Sequence, residues 1–302
     1  MRALGRWVAS QGPAGSSVLA AIGGAIAFGI VYADSPFPST AARLTNSGAY
    51  FLWLVFWCAQ TAMWFALLPT LAGAVRELSP YWPESRRHVL GVTVTFALLV
   101  TVPIVVGGRI HRLTVDVPHY RAKLLLITAI GLSAALLGAA AIALIFSASQ
   151  IAIRTRGDVA PEEVEHFFRL RTLLQRLLMI EAAIWGAAIL TTGTLSHAVN
   201  QIHGPGDFPR EELIAFGTYL SAVVALLYAP AYIRLRALGS ELRDRLVPLE
   251  GSGETLTKSL NDRRSLESLL GLDVTAGANF QNGLVILAPL VIGLIASLLG
   301  GR

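Results

Sequence analysis

Glu181 is the one acidic side chain set well inside an apolar stretch of this 302-residue chain, about one helical turn beyond Arg176. A carboxyl group in hydrocarbon is costly to keep, and where it persists it commonly binds, relays or pairs with charge, so it is a functional candidate by default. The competing reading is structural: Glu181 lies near one end of its stretch, where it can pair with Arg176 or hydrogen-bond across helices to Gln60. Proton pumps use chains of such groups, and no second acid stands at comparable depth.

Imidazole is the other chemistry on offer. His111, His119, His197 and His203 are weak candidates for zinc, copper or haem iron, for which imidazole is a common ligand. Their spacings of eight and six residues match no ligand motif, and solvated loop histidines are the plainer reading. Cys58 is the single cysteine, so one chain builds neither a disulfide nor a cysteine-based metal site. Lys123 and Lys258 are the only lysines, which excludes a retinal Schiff base in the last apolar stretch. Phosphate-loop, dinucleotide, zinc-protease and serine-hydrolase motifs are absent, as are paired aspartate clusters of the prenyltransferase kind. Enzymatic activity and a cofactor are therefore not expected.

Whatever Glu181 does, apolar helices must position it. Hydrophobic residues make up 54% of the chain, charged residues 14%, and the mean hydropathy is +0.60. That is more apolar surface than one core hides, and the excess must meet lipid. Seven stretches reach the length a helix needs to cross hydrocarbon: 18–33, 50–75, 89–106, 124–146, 177–195, 213–233 and 280–299. None alternates with the two-residue period of a barrel strand. The fold class is thus all-α, a polytopic membrane protein with the lipid bilayer as its first partner. The net charge of +5 is almost wholly arginine without interleaved aromatics, so no nucleic acid is expected.

Lysine and arginine are divided 17 to 7 between the two sides of this arrangement. The positive-inside rule then puts the N-terminus in the cytoplasm and the C-terminus outside, in a bacterial-type plasma membrane. Cleavage of the first stretch after Ala33 is the alternative to a retained anchor.

Two stretches run on as helices past the bilayer. After Pro161, Glu162 and Glu163, residues Val164, Phe167, Leu170, Leu174 and Leu177 recur at helical spacing. Leu235, Leu238, Leu242 and Leu246 do the same until Pro248. Residues 256–270 read as another amphipathic helix, closed by Gly271. A cytoplasmic bundle of these segments buries their stripes, as a stiffening stalk or as an assembly point. The chain accordingly divides into 1–160, four spans; 161–250, two spans with extensions; and 251–302, the amphipathic helix and the last span.

In the last span Asn282, Ile286, Pro289, Gly293 and Ser297 fall on one face. Such a stripe suits the water-facing side of a pore, with Ile286 as an apolar constriction, or else a close helix contact. Close packing is also the default for Ala20 with Gly24, Ala25 with Gly29 and Ala134 with Gly138. Aromatics crowd the second span at Phe51, Trp53, Phe56, Trp57, Trp64 and Phe65 and point to packing or lipid contact.

The plan of a cytoplasmic N-terminus, seven helices, long extensions and a last helix preceded by a loop helix is similar to that of insect odorant and gustatory receptors. That resemblance is one of topology without a shared motif, and it implies a tetrameric, ligand-gated cation channel with a cytoplasmic anchor. The function expected from the sequence is a homo-oligomeric channel with the last helix nearest the axis. The alternatives are a non-conducting membrane sensor, scaffold or assembly factor, and a histidine-dependent metal or haem protein.

Overall fold

The computed structural model describes residues 13–32, 47–110, 120–154, 161–203, 210–249, 254–272 and 285–295, and all regular structure among them is helical. In chain order the helices are α1 (Pro13–Tyr32), α2 (Gly48–Glu77), a 3-10 turn at Ser79–Tyr81, α3 (Trp82–Ile110), α4 (Tyr120–Arg154), α5 (Pro161–His203), α6 (Arg210–Leu246) and α7 (Glu254–Leu270). A last apolar helix, α8, covers Val285–Ile295.

Four of these, α2, α4, α5 and α6, are long and apolar enough to cross a membrane, and α1 and α8 are shorter apolar helices. The third expected span lies within α3, and the seventh is described over 285–295 only. Phe51, Val55, Val94, Leu98, Leu226 and Ile233 stand outward and exposed. Large apolar side chains exposed in such number are unfavourable in water and neutral in hydrocarbon, so the outside of the helix cluster fits a membrane-embedded protein.

Helix α2 packs on α1, α4 and α5, while α6 packs on α4 and α5. Ser47 starts α2 by accepting the Tyr50 amide at 3.1 Å, which satisfies one of the free donors of the first turn. Helices α2 and α5 run antiparallel. Arg169 is ion-paired to Glu77 near the start of α5, and the Thr191 hydroxyl approaches the Phe56 carbonyl at 3.4 Å, some twenty residues along both helices.

The small-residue pairs are not alike. A Cβ added at Gly23 would stand 2.8 Å from the Phe65 ring, whereas one at Gly24 would make ordinary contact with Ala62 and one at Gly29 would meet nothing. At Gly23 the Phe65 ring of α2 thus takes the place a side chain would fill, a contact that the four-residue pattern passed over.

Beyond the apolar stretches, Phe167, Leu170 and Leu174 of α5 and Leu235, Leu238 and Leu242 of α6 are buried, as the leucine spacing predicts. Leu246, the last of that stripe, is 39% exposed and lies past the packed part. Gly239 lets the helices close: a Cβ there would be 2.8 Å from Leu272 and 2.9 Å from the Phe167 ring. Helix α7 ends at Gly271, whose φ of 59° is a left-handed conformation that glycine adopts without penalty. The Arg171 guanidinium lies over this turn and donates to the Leu270 carbonyl. Ion pairs Arg243 to Glu267, Arg263 to Asp244 and Arg245 to Glu163 lace the same end of the helices.

Candidate functional site

The side chain of Glu181 is fully buried. One carboxyl oxygen accepts the indole N–H of Trp185, one turn along α5, at 3.0 Å. The other, Oε1, has no hydrogen-bond partner among the described residues. Neither Arg176 nor Gln60 is its partner, and the Gln60 carbonyl oxygen is itself buried and without a hydrogen-bond partner among the described residues.

Room for the carboxyl comes from α4. A Cβ on Gly138 would stand 2.0 Å from Oε1, so the group occupies the volume a side chain would fill. Seven residues earlier on the same face, Gly131 seats the Trp64 ring of α2, where an added Cβ would fall 2.6 Å from a ring carbon. Ala134 and Ala135, between these glycines, are fully buried. The α4 face is therefore a shallow groove receiving an indole from α2 and a carboxyl from α5. A glycine between small residues was legible in the sequence; which large side chain it admits was not.

Helix α2 turns a single face toward this groove and its neighbours. Trp53, Trp57, Gln60 and Trp64 recur at three and four residues and are all buried. Trp53 and Trp57 stack obliquely with centroids 5.1 Å apart. The indole N–H groups of Trp53, Trp57 and Trp64 find no acceptor among the described residues. The core of the apolar region thus holds several unsatisfied polar groups. In a low-dielectric interior each costs about 1–3 kcal/mol unless a partner appears.

On α8, Pro289 and Gly293 are buried and Ile286 is half-buried, while Asn282 and Ser297 lie outside the described residues. A Cβ on Gly293 would come within 2.9 Å of the Leu213 carbonyl, and one on Gly217 within 2.8 Å of the Pro289 carbonyl. The Leu290 amide donates to the Ser221 hydroxyl at 3.1 Å. Backbone meets backbone here, so within one chain Pro289 and Gly293 form a close contact with α6. Leu287, Val291, Leu294 and Ile295 are the exposed residues of this helix.

His111 and His119 lie outside the described residues, and His203 is the last residue of α5. His197 hydrogen-bonds Gln201 at 3.1 Å, one turn along α5. Among the described residues no three of histidine, cysteine, aspartate and glutamate gather as a metal site would require.

A second polar site escaped the sequence reading because its parts are 85 residues apart. Where α2 turns into α3, a cavity of about 450 Å³ is lined by Arg76, Glu77, Tyr81, His166 and Arg169 among others. The Tyr81 hydroxyl and His166 Nε2 share a hydrogen bond of 3.0 Å. Burial pushes the His166 imidazole below its ordinary value, Arg169 adds to that shift and Glu77 opposes it. Burial also raises the Tyr81 phenol, against the pull of Arg169. Both groups are thereby biased toward their neutral forms, in which the phenol can donate to the imidazole nitrogen.

No known protein family, characterised protein or solved structure matches this chain.

Proposed function

We propose that the protein is a non-conducting membrane sensor with Glu181 as its proton-responsive element. The observation that supports this reading is the carboxyl of Glu181, fully buried against Gly138 with one oxygen bonded to Trp185 and the other to nothing among the described residues. A carboxylic acid carries its own donor, whereas a carboxylate asks for donors on both oxygens. Proton gain or loss therefore changes what the surrounding helices must supply, and two helix arrangements distinguished by one proton are the minimum a sensor needs.

The same proposal includes seven spans, with the N-terminus on the arginine-rich cytoplasmic side of a bacterial-type plasma membrane. The packed ends of α5, α6 and α7 then form a cytoplasmic platform through which the signal leaves, in a homo-oligomer or toward another partner. Sensing is preferred to an oligomeric channel because Pro289 and Gly293, the centre of the polar stripe expected to line a pore, lie against α6.

The test uses full-length protein in sealed liposomes, with tryptophan emission and ion flux followed together across pH. The parent should show a reversible emission change that Glu181→Gln abolishes and Trp185→Phe diminishes, with no flux at any pH. An emission change that survives Glu181→Gln would remove the sensor assignment, and flux through the parent would restore the channel.

A further inference from the structure

A groove of about 580 Å³ runs along the outward surface between α4 and α6. Phe146 and Gln150 form its α4 side, and Leu226, Ala229, Ile233 and Arg234 belong to its α6 side. Its walls are greasy and open: Leu226 is 67% exposed and Ile233 is 65% exposed. Phe146 is held from behind by the His88 ring of α3, stacked at 4.8 Å. Arg234 stands at the end of the lining sequence nearest the charged part of α6. Among the described residues that line the groove Arg234 is the one charged side chain, and none is acidic.

These features ask for different things. An apolar trough on a membrane helix pair is satisfied by hydrocarbon, while the guanidinium of Arg234, part of the lining, attracts an anion, and phosphate suits its fork of donors. One molecule supplies both. We propose that this groove binds an anionic phospholipid, one acyl chain lying along Leu226, Ala229 and Ile233 and the phosphate meeting Arg234, with Gln150 beside the glycerol region. A zwitterionic lipid brings an ammonium that no carboxylate of the lining can receive, so net-anionic headgroups are preferred. The inference requires that α4 and α6 cross the membrane and is independent of the role assigned to Glu181.

Purified full-length protein in a neutral detergent should be titrated with phosphatidylglycerol, phosphatidylcholine or inorganic phosphate, reading bound lipid by native mass spectrometry and the thermal midpoint in parallel. Phosphatidylglycerol should bind and raise the midpoint, phosphatidylcholine should bind more weakly, and phosphate should do neither. Arg234→Gln should weaken phosphatidylglycerol binding about five- to tenfold, the loss of one surface charge pair, while Arg236→Gln should leave it near the parent value. Ala229→Trp keeps the charge and fills the trough, and should lose binding as well. This second variant decides the matter if Arg234→Gln does not fold. Equal binding of both lipids, or parent-like binding by Arg234→Gln or Ala229→Trp, would overturn the proposal. Stabilisation by inorganic phosphate alone would replace the lipid with a soluble anion.

Discussion

The carboxyl of Glu181 on α5 occupies the space left by the missing side chain of Gly138 on α4, with an added Cβ falling 2.0 Å from Oε1. Replacing Gly138 by alanine must therefore displace the acid or part the helices. Such overpacking costs about 1–3 kcal/mol in a tight core. In the Glu181→Ala background the same methyl group should cost far less, because the volume is vacant. Thermal unfolding in detergent of the two single variants and the double variant gives the coupling. Equal costs in both backgrounds would mean that Gly138 is not the seat of Glu181.

Packing between the extended ends of α5 and α6 rests on leucines, and the ion pairs beside them are half-exposed. Leu238→Ala, at a site 3% exposed, should lower stability by about 2–5 kcal/mol. Arg169→Gln should cost at most about 1 kcal/mol, because its pair with Glu77 is open to water. Leu238→Asp combined with Leu242→Asp should abolish folding or release a subunit, which particle mass would distinguish. Unchanged yield and mass would mean that this stripe is not a packed surface.

Acid should loosen the contact between the α2–α3 turn and α5. The folded state holds His166 below its ordinary pKa of 6.5, so the unfolded chain binds the proton more readily. The linked stabilisation is present above pH 6.5 and is lost as pH falls through that value toward the folded pKa. Hydrogen exchange across residues 79–88 should accelerate on acidification in the parent and much less in His166→Gln. A profile independent of His166 would remove the imidazole as the cause.

A close helix contact and a pore lining answer oppositely to bulk. Gly293→Trp drives an indole at the Leu213 carbonyl, already 2.9 Å from an added Cβ, and should lower stability and yield. Ile286→Asn should produce no ion leak in liposomes. A selective leak from an intact Ile286→Asn particle would return α8 to the axis of a channel.

Orientation is checked by labelling. With Cys58 changed to Ser, a cysteine at Ser252 should be protected from an impermeant thiol reagent in intact cells and one at Gly204 should react. The reverse pattern would invert every statement about sides.

Much of the helix plan was legible because its cause is local: runs of apolar residues of sufficient length, Pro161 with Glu162 and Glu163 opening α5, and Gly271 closing α7. Burial of the leucines at 170, 174, 238 and 242 followed from their spacing. Glu181 stood out for the same reason, as a lone acid among apolar neighbours. Its surroundings did not, since its approach to Gly138 joins residues 43 positions apart and depends on how two helices are rotated. A polar or small stripe has the same ambiguity. Pro289 and Gly293 are compatible with water or with another backbone, and only the position of α6 decides between them. The Tyr81–His166 contact left no pattern at all, because neither residue is unusual for its helix.

Helix α5 is a single rod of 43 residues, about 64 Å long at 1.5 Å per residue, roughly twice the thickness of the hydrocarbon it would cross. Glu181 and His166 are mounted on it about 22 Å apart, with neither glycine nor proline between them. If the carboxyl re-seats against α4 by rotation of α5 as one body, the imidazole should turn against Tyr81 with it. The two sites are in that sense opposite ends of one lever, and a variant that inserts a flexible joint near Leu173 should uncouple them while leaving each intact.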